Sequence, residues 1–179
     1  MNKIVYYVAV SLDGFICGKE GDISQFAQAG NGVKKYLEDL KAFNTVLMGR
    51  HTYEFGYLFG LQPGDPAYPH MEHYIFSDTL FLKKKHPKVH VEPSSIKKIK
   101  EIRKLSKSDI YLCGGGSFAG WMLDQGEIDI LKLKINPIVL GSGIKLFGNS
   151  KTKCNLKLMD SVLYEEGLQI ASYKIIRSQ

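Results

Sequence analysis

Paired cysteines are missing from this chain. Its three, Cys17, Cys113 and Cys154, stand far apart, form no C-x-x-C motif and leave one over. That argues against a disulfide framework and a cysteine zinc site, and points to a reducing compartment, the cytoplasm. No apolar run approaches the roughly 20 residues that cross a bilayer, so no membrane partner is expected. The opening Met1-Asn-Lys-Ile-Val-Tyr-Tyr-Val-Ala-Val10 has the basic start and apolar stretch of a leader peptide. It runs instead into Ser11-Leu-Asp-Gly14 without a small-residue cleavage site, and its β-branched and aromatic residues suit a buried strand. A G-x-S-x-G serine motif is absent, as is the H-x-E with P-C-x-x-C of zinc deaminases. His70 and His73 flank Met71-Glu72 without a third ligand, so no metal is expected.

What is present is ordinary for one globular unit. The 179 residues, 44% hydrophobic and 23% charged, suit a single domain, residues 1–179. A net charge of +6 suggests an anionic partner, but much of it lies in Lys83–Lys88 and in Ile96-Lys-Lys-Ile-Lys-Glu-Ile-Arg-Lys104. In the second segment Ile96, Ile99 and Ile102 repeat at helical spacing, which makes the lysines a solvated helix face. Aromatic residues do not interleave with the lysines for base stacking, so nucleic acid is not expected.

Strands and helices alternate along the chain. Strands are predicted near Lys3–Ser11, Thr45–Met48, His73–Ser77, Lys88–Val91 and Ile110–Cys113, with helices near Gly32–Lys41, His51–Phe55, Ser94–Lys104 and Ser117–Asp124. That alternation predicts an α/β fold with a mostly parallel sheet covered on both faces. Leu131–Leu140, Leu156–Leu163 and Leu168–Ile176 read as extended, the last two joined through Glu165-Glu166-Gly167 as an antiparallel C-terminal hairpin. The segment Leu58–Met71, with three prolines and two glycines, is long and irregular enough to wall a site.

Three segments carry chemistry. In Asp109-Ile-Tyr-Leu-Cys-Gly-Gly-Gly-Ser-Phe-Ala-Gly120 a strand breaks at Gly114, Gly115 and Gly116, and a helix restarts. Glycines let backbone N–H groups approach an anion, and a helix start adds its positive dipole end. The same run equally suits a plain tight turn. Its letters satisfy G-x-G-x-x-A, but the acidic ribose-binding residue of the Rossmann motif is missing about 20 positions on. In Thr45-Val-Leu-Met-Gly-Arg-His-Thr-Tyr-Glu54, Gly49 ends a strand and Arg50, His51 and Thr52 open a helix. A guanidinium fork there suits a phosphate monoester, or else a surface carboxylate. In Val8-Ala-Val-Ser-Leu-Asp-Gly-Phe-Ile16 a buried strand enters an Asp-Gly turn, which sets Asp13 at the strand end.

In this order and at these separations the segments, with Asn136-Pro-Ile-Val-Leu-Gly-Ser-Gly-Ile-Lys-Leu-Phe147, resemble the dihydrofolate-reductase-like family. The nearest branch includes the reductase domain of the bifunctional riboflavin-biosynthesis deaminase/reductase. The likeness spans essentially the whole chain. It implies a dihydrofolate-reductase-like three-layer fold, the cofactor NADPH, and hydride transfer to a small-molecule substrate of heterocyclic or ribosylated kind. Ala9 and Ile16 match the residues flanking the nicotinamide. Gly49, Arg50, His51 and Thr52 match the pyrophosphate and 2′-phosphate grip, and Ser77 the adenosine end. Cys113, Gly114, Gly115, Gly116, Ser117 and Phe118 match the glycine turn, in which the Gly114–Gly115 peptide is expected to be cis.

The chain departs from the folate reductases at Val33, where they place an acid that hydrogen-bonds the pteridine. A reductase of another substrate is therefore expected, or a nucleotide-binding protein without turnover. Asp13, ahead of Asp22, is the candidate catalytic acid, since hydride delivery to C=N or C=O needs a proton donor; Asp in an Asp-Gly turn also serves the backbone alone. The resemblance and the apolar C-terminal hairpin together predict a homodimer.

Overall fold

The computed structural model describes residues 1–177. In chain order its strands are β1 (Ile4–Ser11), β2 (Phe15–Cys17), β3 (Thr45–Gly49), β4 (Glu72–Phe76), β5 (Val89–Glu92), β6 (Ile110–Gly114), β7 (Ile130–Asn136), β8 (Ile144–Lys145), β9 (Asn155–Leu163) and β10 (Gln169–Ile176). The helices are α1 (Asn31–Leu40), α2 (Arg50–Phe55), α3 (Ile96–Leu105) and α4 (Gly116–Asp124). Eight strands make one sheet in the order β5-β4-β3-β6-β1-β7-β10-β9. The six from β5 to β7 run parallel, and β10 lies antiparallel to both β7 and β9. This is the α/β architecture with an antiparallel C-terminal hairpin that the alternation predicts, and β6 is central in it.

Both sheet faces are covered, so the parallel strands are apolar on both sides. Ile4, Tyr6, Leu47, Ile110 and Leu112 pack with Ile99 and Ile102 of α3 and with Ala119 and Met122 of α4. The other face sets Val5, Tyr7, Val46, Met48 and Tyr111 against Leu40 of α1 and Tyr53 of α2. The Leu58–Met71 segment closes that second face: Tyr68 stacks on His73 with ring centroids 5.9 Å apart and packs edge-on to Tyr111. His73 is fully buried, and both of its ring nitrogens are engaged by backbone atoms. Tyr68 N donates to its Nε2 at 3.0 Å, which leaves Nδ1–H to donate to Met71 O at 3.0 Å. Its ring is therefore a loop staple, and burial lowers its pKa to about 4.

Two expectations shift. The strand expected over Leu131–Leu140 stops at Asn136, because Pro137 has no N–H to give a ladder and Ile138 N turns back to Asn136 O. The pairing of β2 with β8 was not predicted; strands of three and two residues leave no periodicity to detect. Gly143 permits that pairing: its φ is +144°, and a Cβ there would lie 2.1 Å from Cys17 O.

Candidate functional site at the C-terminal edge of the sheet

Two helices begin where β3 and β6 end, and neither start is capped by a side chain. Gly49 caps α2 and Gly115 caps α4, both without a side-chain hydrogen bond. By contrast α3 is closed by its own Ser95, whose Oγ accepts from Lys98 N at 3.4 Å. An uncapped helix start presents N–H donors and a positive dipole end, which together suit an anion. The two starts are neighbours. A Cβ at Gly49 would lie 3.1 Å from Phe118 Cβ on α4, and one at Gly115 would lie 2.9 Å from Thr52 Oγ1 on α2 and 3.8 Å from Ile16 Cδ1 on β2. The Gly114–Gly115 peptide is cis, with Gly114 at φ +112°.

The remaining residues group around this junction in different ways. Arg50 is held rather than loose: its Nε donates to Glu54 Oε1 at 2.8 Å and its Nη1 to Thr79 Oγ1 at 2.8 Å. Ser77 acts one step behind, because its Oγ accepts from Thr79 N and Leu80 N and so shapes the turn that brings Thr79 to Arg50. His51 and Ser117 are exposed, and Thr52 and Phe118 are half-buried. Phe118 stacks between Phe76 and Trp121, with centroids 4.9 and 5.7 Å away. Ala9, Gly49 and Cys113 are only partly buried although they lie on central strands, so the sheet is open above them. Burial pushes the Cys113 thiol up, and its Sγ meets Tyr68 OH at 3.8 Å, which suits packing rather than a nucleophile.

Asp13 stands apart. Its carboxylate accepts from Ser11 Oγ at 2.6 Å, from Leu140 N at 3.1 Å and from Gly141 N at 2.8 Å. The Ser11 hydroxyl above all, and then those amides, hold its pKa below the usual carboxylate range. A proton donor needs the opposite shift. The geometry therefore makes Asp13 a clamp between the end of β1 and the loop after β7, with its carboxyl biased toward the ionised form. Asp22 is similarly taken up by Ser24 N at 2.9 Å.

One residue at this edge was missed. Lys134, on β7 opposite Ala9, is 6% exposed. Its only sequence signal is the alternation Leu131-Lys-Leu-Lys-Ile135, which reads equally as the solvent face of an edge strand. Beside it a cavity of about 600 Å³ opens between Ala27–Gly32, Asn136–Ile138 and the β9–β10 turn at Glu165 and Glu166. A second cavity, about 350 Å³, opens at the opposite edge by Asn44, Glu72 and Lys107, away from both uncapped helix starts.

A family model for the RibD C-terminal domain matches residues 2–170. The chain belongs to that family. The Bacillus subtilis (strain 168) protein YyaP, itself uncharacterized, is 26% identical over 174 residues, covering 93% of this chain and 91% of its own. A pyrimidine reductase-like protein from Corynebacterium diphtheriae superposes with a TM-score of 0.72 at 18% identity, covering 99% of this chain and 93% of that one. Dihydrofolate reductase from Enterococcus faecalis, in complex with NADP(H) and RAB-propyl, superposes with a TM-score of 0.69 at 17% identity, over 97% of this chain and 96% of its own. The RibD C-terminal domain chain thus has a dihydrofolate-reductase-like fold.

Proposed function

We propose that this RibD C-terminal domain protein is an NADPH-dependent reductase that passes hydride to a small heterocyclic or ribosylated substrate. The observation that carries the reading is the pair of side-chain-free helix starts at Gly49 and Gly115, set against each other at the C-terminal edge. In open α/β sheets ligands sit in the crevice outside that edge. A Cβ at Gly115 would fill the approach to Thr52, so the residues fit a pyrophosphate held by backbone donors. Thr52, Gly114, Gly115, Gly116 and Ser117 hold it, with Phe118 fixing the start of α4. Arg50 offers its guanidinium edge to the 2′-phosphate, with His51 exposed beside it and Ser77 supporting through Thr79. Ala9, Ile16 and Cys113 border the nicotinamide position. When bound, the cofactor supplies the hydride; the chain binds, orients and excludes water. The membership of the family and the fold shared with an NADP(H)-complexed reductase support the same reading.

Titration of the purified protein with NADPH and NADH tests it. NADPH binds at least tenfold tighter, and NADPH oxidation follows addition of a pyrimidine or pterin carbonyl substrate. Tight NADPH binding with no oxidation across such a panel identifies a nucleotide-binding protein without turnover; no binding of either cofactor ends the proposal.

The partner is a second copy of the chain, in a cytoplasmic homodimer. β9 is the sheet's last strand, and all nine of its residues are exposed, including Leu156, Leu158, Met159, Val162 and Leu163. A long apolar edge of this kind pairs with another strand. Light scattering at micromolar concentration gives the dimer mass; a monomer mass discards this arrangement.

A further inference from the structure

β7 carries two lysines on the face beneath α1, because alternate strand residues share a side. Both lie over a tyrosine ring, Lys132 Nζ 4.6 Å from the centroid of Tyr7 and Lys134 Nζ 5.4 Å from that of Tyr36. Only the first has a counter-charge: Lys132 Nζ meets Asp39 Oδ2 at 2.6 Å. Among the described residues Lys134 has no carboxylate within ion-pairing distance, and its one hydrogen bond goes to Ala27 O at 3.2 Å. It is flanked in the sheet by Ala9 and Ile170, both without charge. An ammonium has three donors, and burying it against one neutral acceptor is costly. Burial accordingly lowers its pKa. Such a group is worth keeping where an acceptor arrives from outside the chain. Ala9, its register partner, is partly open, so whatever sits over Ala9 lies against the Lys134 side chain. α1 adds no acid there, because its first turn carries Val33.

We propose that Lys134 Nζ is a substrate-binding group that donates to a carbonyl oxygen or carboxylate of a ring seated over Ala9. Lys134 thereby selects neutral to anionic, acceptor-bearing heterocycles and disfavours protonated diamino rings. This rests on the reading of the C-terminal edge as a reductase site, with the substrate ring between Lys134 and the nicotinamide that Ala9 borders. The competing role, in which Lys134 only ties down the Ala27 carbonyl, affects folding without discriminating between ligands.

Two pyrimidine probes of opposite pattern separate these roles: uracil-6-carboxylate, an anion rich in acceptors, and 2,4-diaminopyrimidine, a protonatable donor. Each is titrated calorimetrically into the wild type, Lys134→Met and Lys134→Arg, with and without saturating NADP⁺. The wild type binds the carboxylate at least tenfold tighter than the diamine. Lys134→Met loses at least tenfold of that affinity, Lys134→Arg keeps part of it, and both bind NADPH within twofold of wild type. In the wild type the Lys134 side-chain NMR signals shift on addition of the carboxylate, a readout that stands even if Lys134→Met does not fold. The inference is overturned by no carboxylate binding to the wild type, by equal binding of the two probes, by unmoved lysine signals, or by an unchanged affinity in Lys134→Met. A loss of NADPH affinity equal to that of the probe assigns Lys134 to the cofactor and overturns it too. Lysine-dependent carboxylate binding in a protein that binds no dinucleotide leaves the inference standing and removes the NADPH reading instead.

Discussion

The two edges of the parallel sheet solve the same problem in opposite ways. At the N-terminal edge the chain satisfies itself with side chains. Arg103 donates to Asp129 Oδ2 at 2.7 Å and to Glu127 O at 2.9 Å, while Asp129 also accepts from Ile4 N and Arg177. Asp109 takes Lys3 N at the start of β1. At the C-terminal edge glycines stand in for capping side chains at the starts of α2 and α4, central strand residues stay partly open, and among the described residues Lys134 meets no carboxylate. One edge is closed around Arg103 by ion pairs, and the other keeps two uncapped helix starts and a buried lysine without a counter-charge among the described residues. The difference separates an edge that serves stability from the edge proposed to bind ligand, and it is open to direct attack.

The largest effect is expected at the closed edge. Arg103→Met removes a 10%-exposed cation and leaves Asp129 with only the longer contact to Arg177 and Glu127 with only that to Lys100. Chemical denaturation should show a loss of about 3 to 5 kcal/mol, while the NADPH affinity of the folded fraction stays unchanged. A fall in affinity would mean that the two edges are coupled.

Next comes the staple beneath the loop. His73 has a folded pKa of about 4 against an ordinary value of 6.5. Between those values the unfolded chain binds more protons, so stability rises with pH there. It is complete above about 6.5 and is lost as pH falls toward about 4, a change on the order of 3 kcal/mol. Urea denaturation of wild type and His73→Gln across that window checks it, because carboxylates contribute to both curves and cancel in the difference. Parallel curves would remove His73 as the cause.

At the open edge Arg50→Ala should weaken NADPH binding by about 1.5 to 3 kcal/mol and barely change NADH. The loss should shrink in high salt as exposed charges are screened. Equal losses for the two cofactors would place Arg50 on the pyrophosphate or in the fold.

The smallest effect is expected at Gly115→Ala. Its φ of −86° suits alanine, so the cost comes from a Cβ placed 2.9 Å from Thr52 Oγ1. NADPH affinity should fall by about 1 kcal/mol, the order of one hydrogen bond. The double variant with Thr52→Ser, which keeps the hydroxyl, should lose as much; Thr52→Ala should relieve the contact. No change in the single variant would show that the turn has room to spare.

The sequence by itself determined the strands and helices, because period-2 and period-3.6 apolar patterns and glycine punctuation are local properties of the chain. The segments ending at Gly49 and Gly114 and the C-terminal hairpin were legible for that reason, and the order of motifs carried the family. Tertiary structure decided what each side chain does once strands distant in sequence become neighbours. Asp13 reads as an available acid until the amides of Leu140 and Gly141 fold onto it. Ser77 reads as a ligand contact, and the fold adds a second task, since its hydroxyl oxygen accepts from the amides of its own turn. Lys132 and Lys134 look identical on paper, but Asp39, 93 residues from Lys132, reaches only that one. Whether a charge is paired depends on burial and on partners far away in the chain, and those exist only after the sheet has assembled.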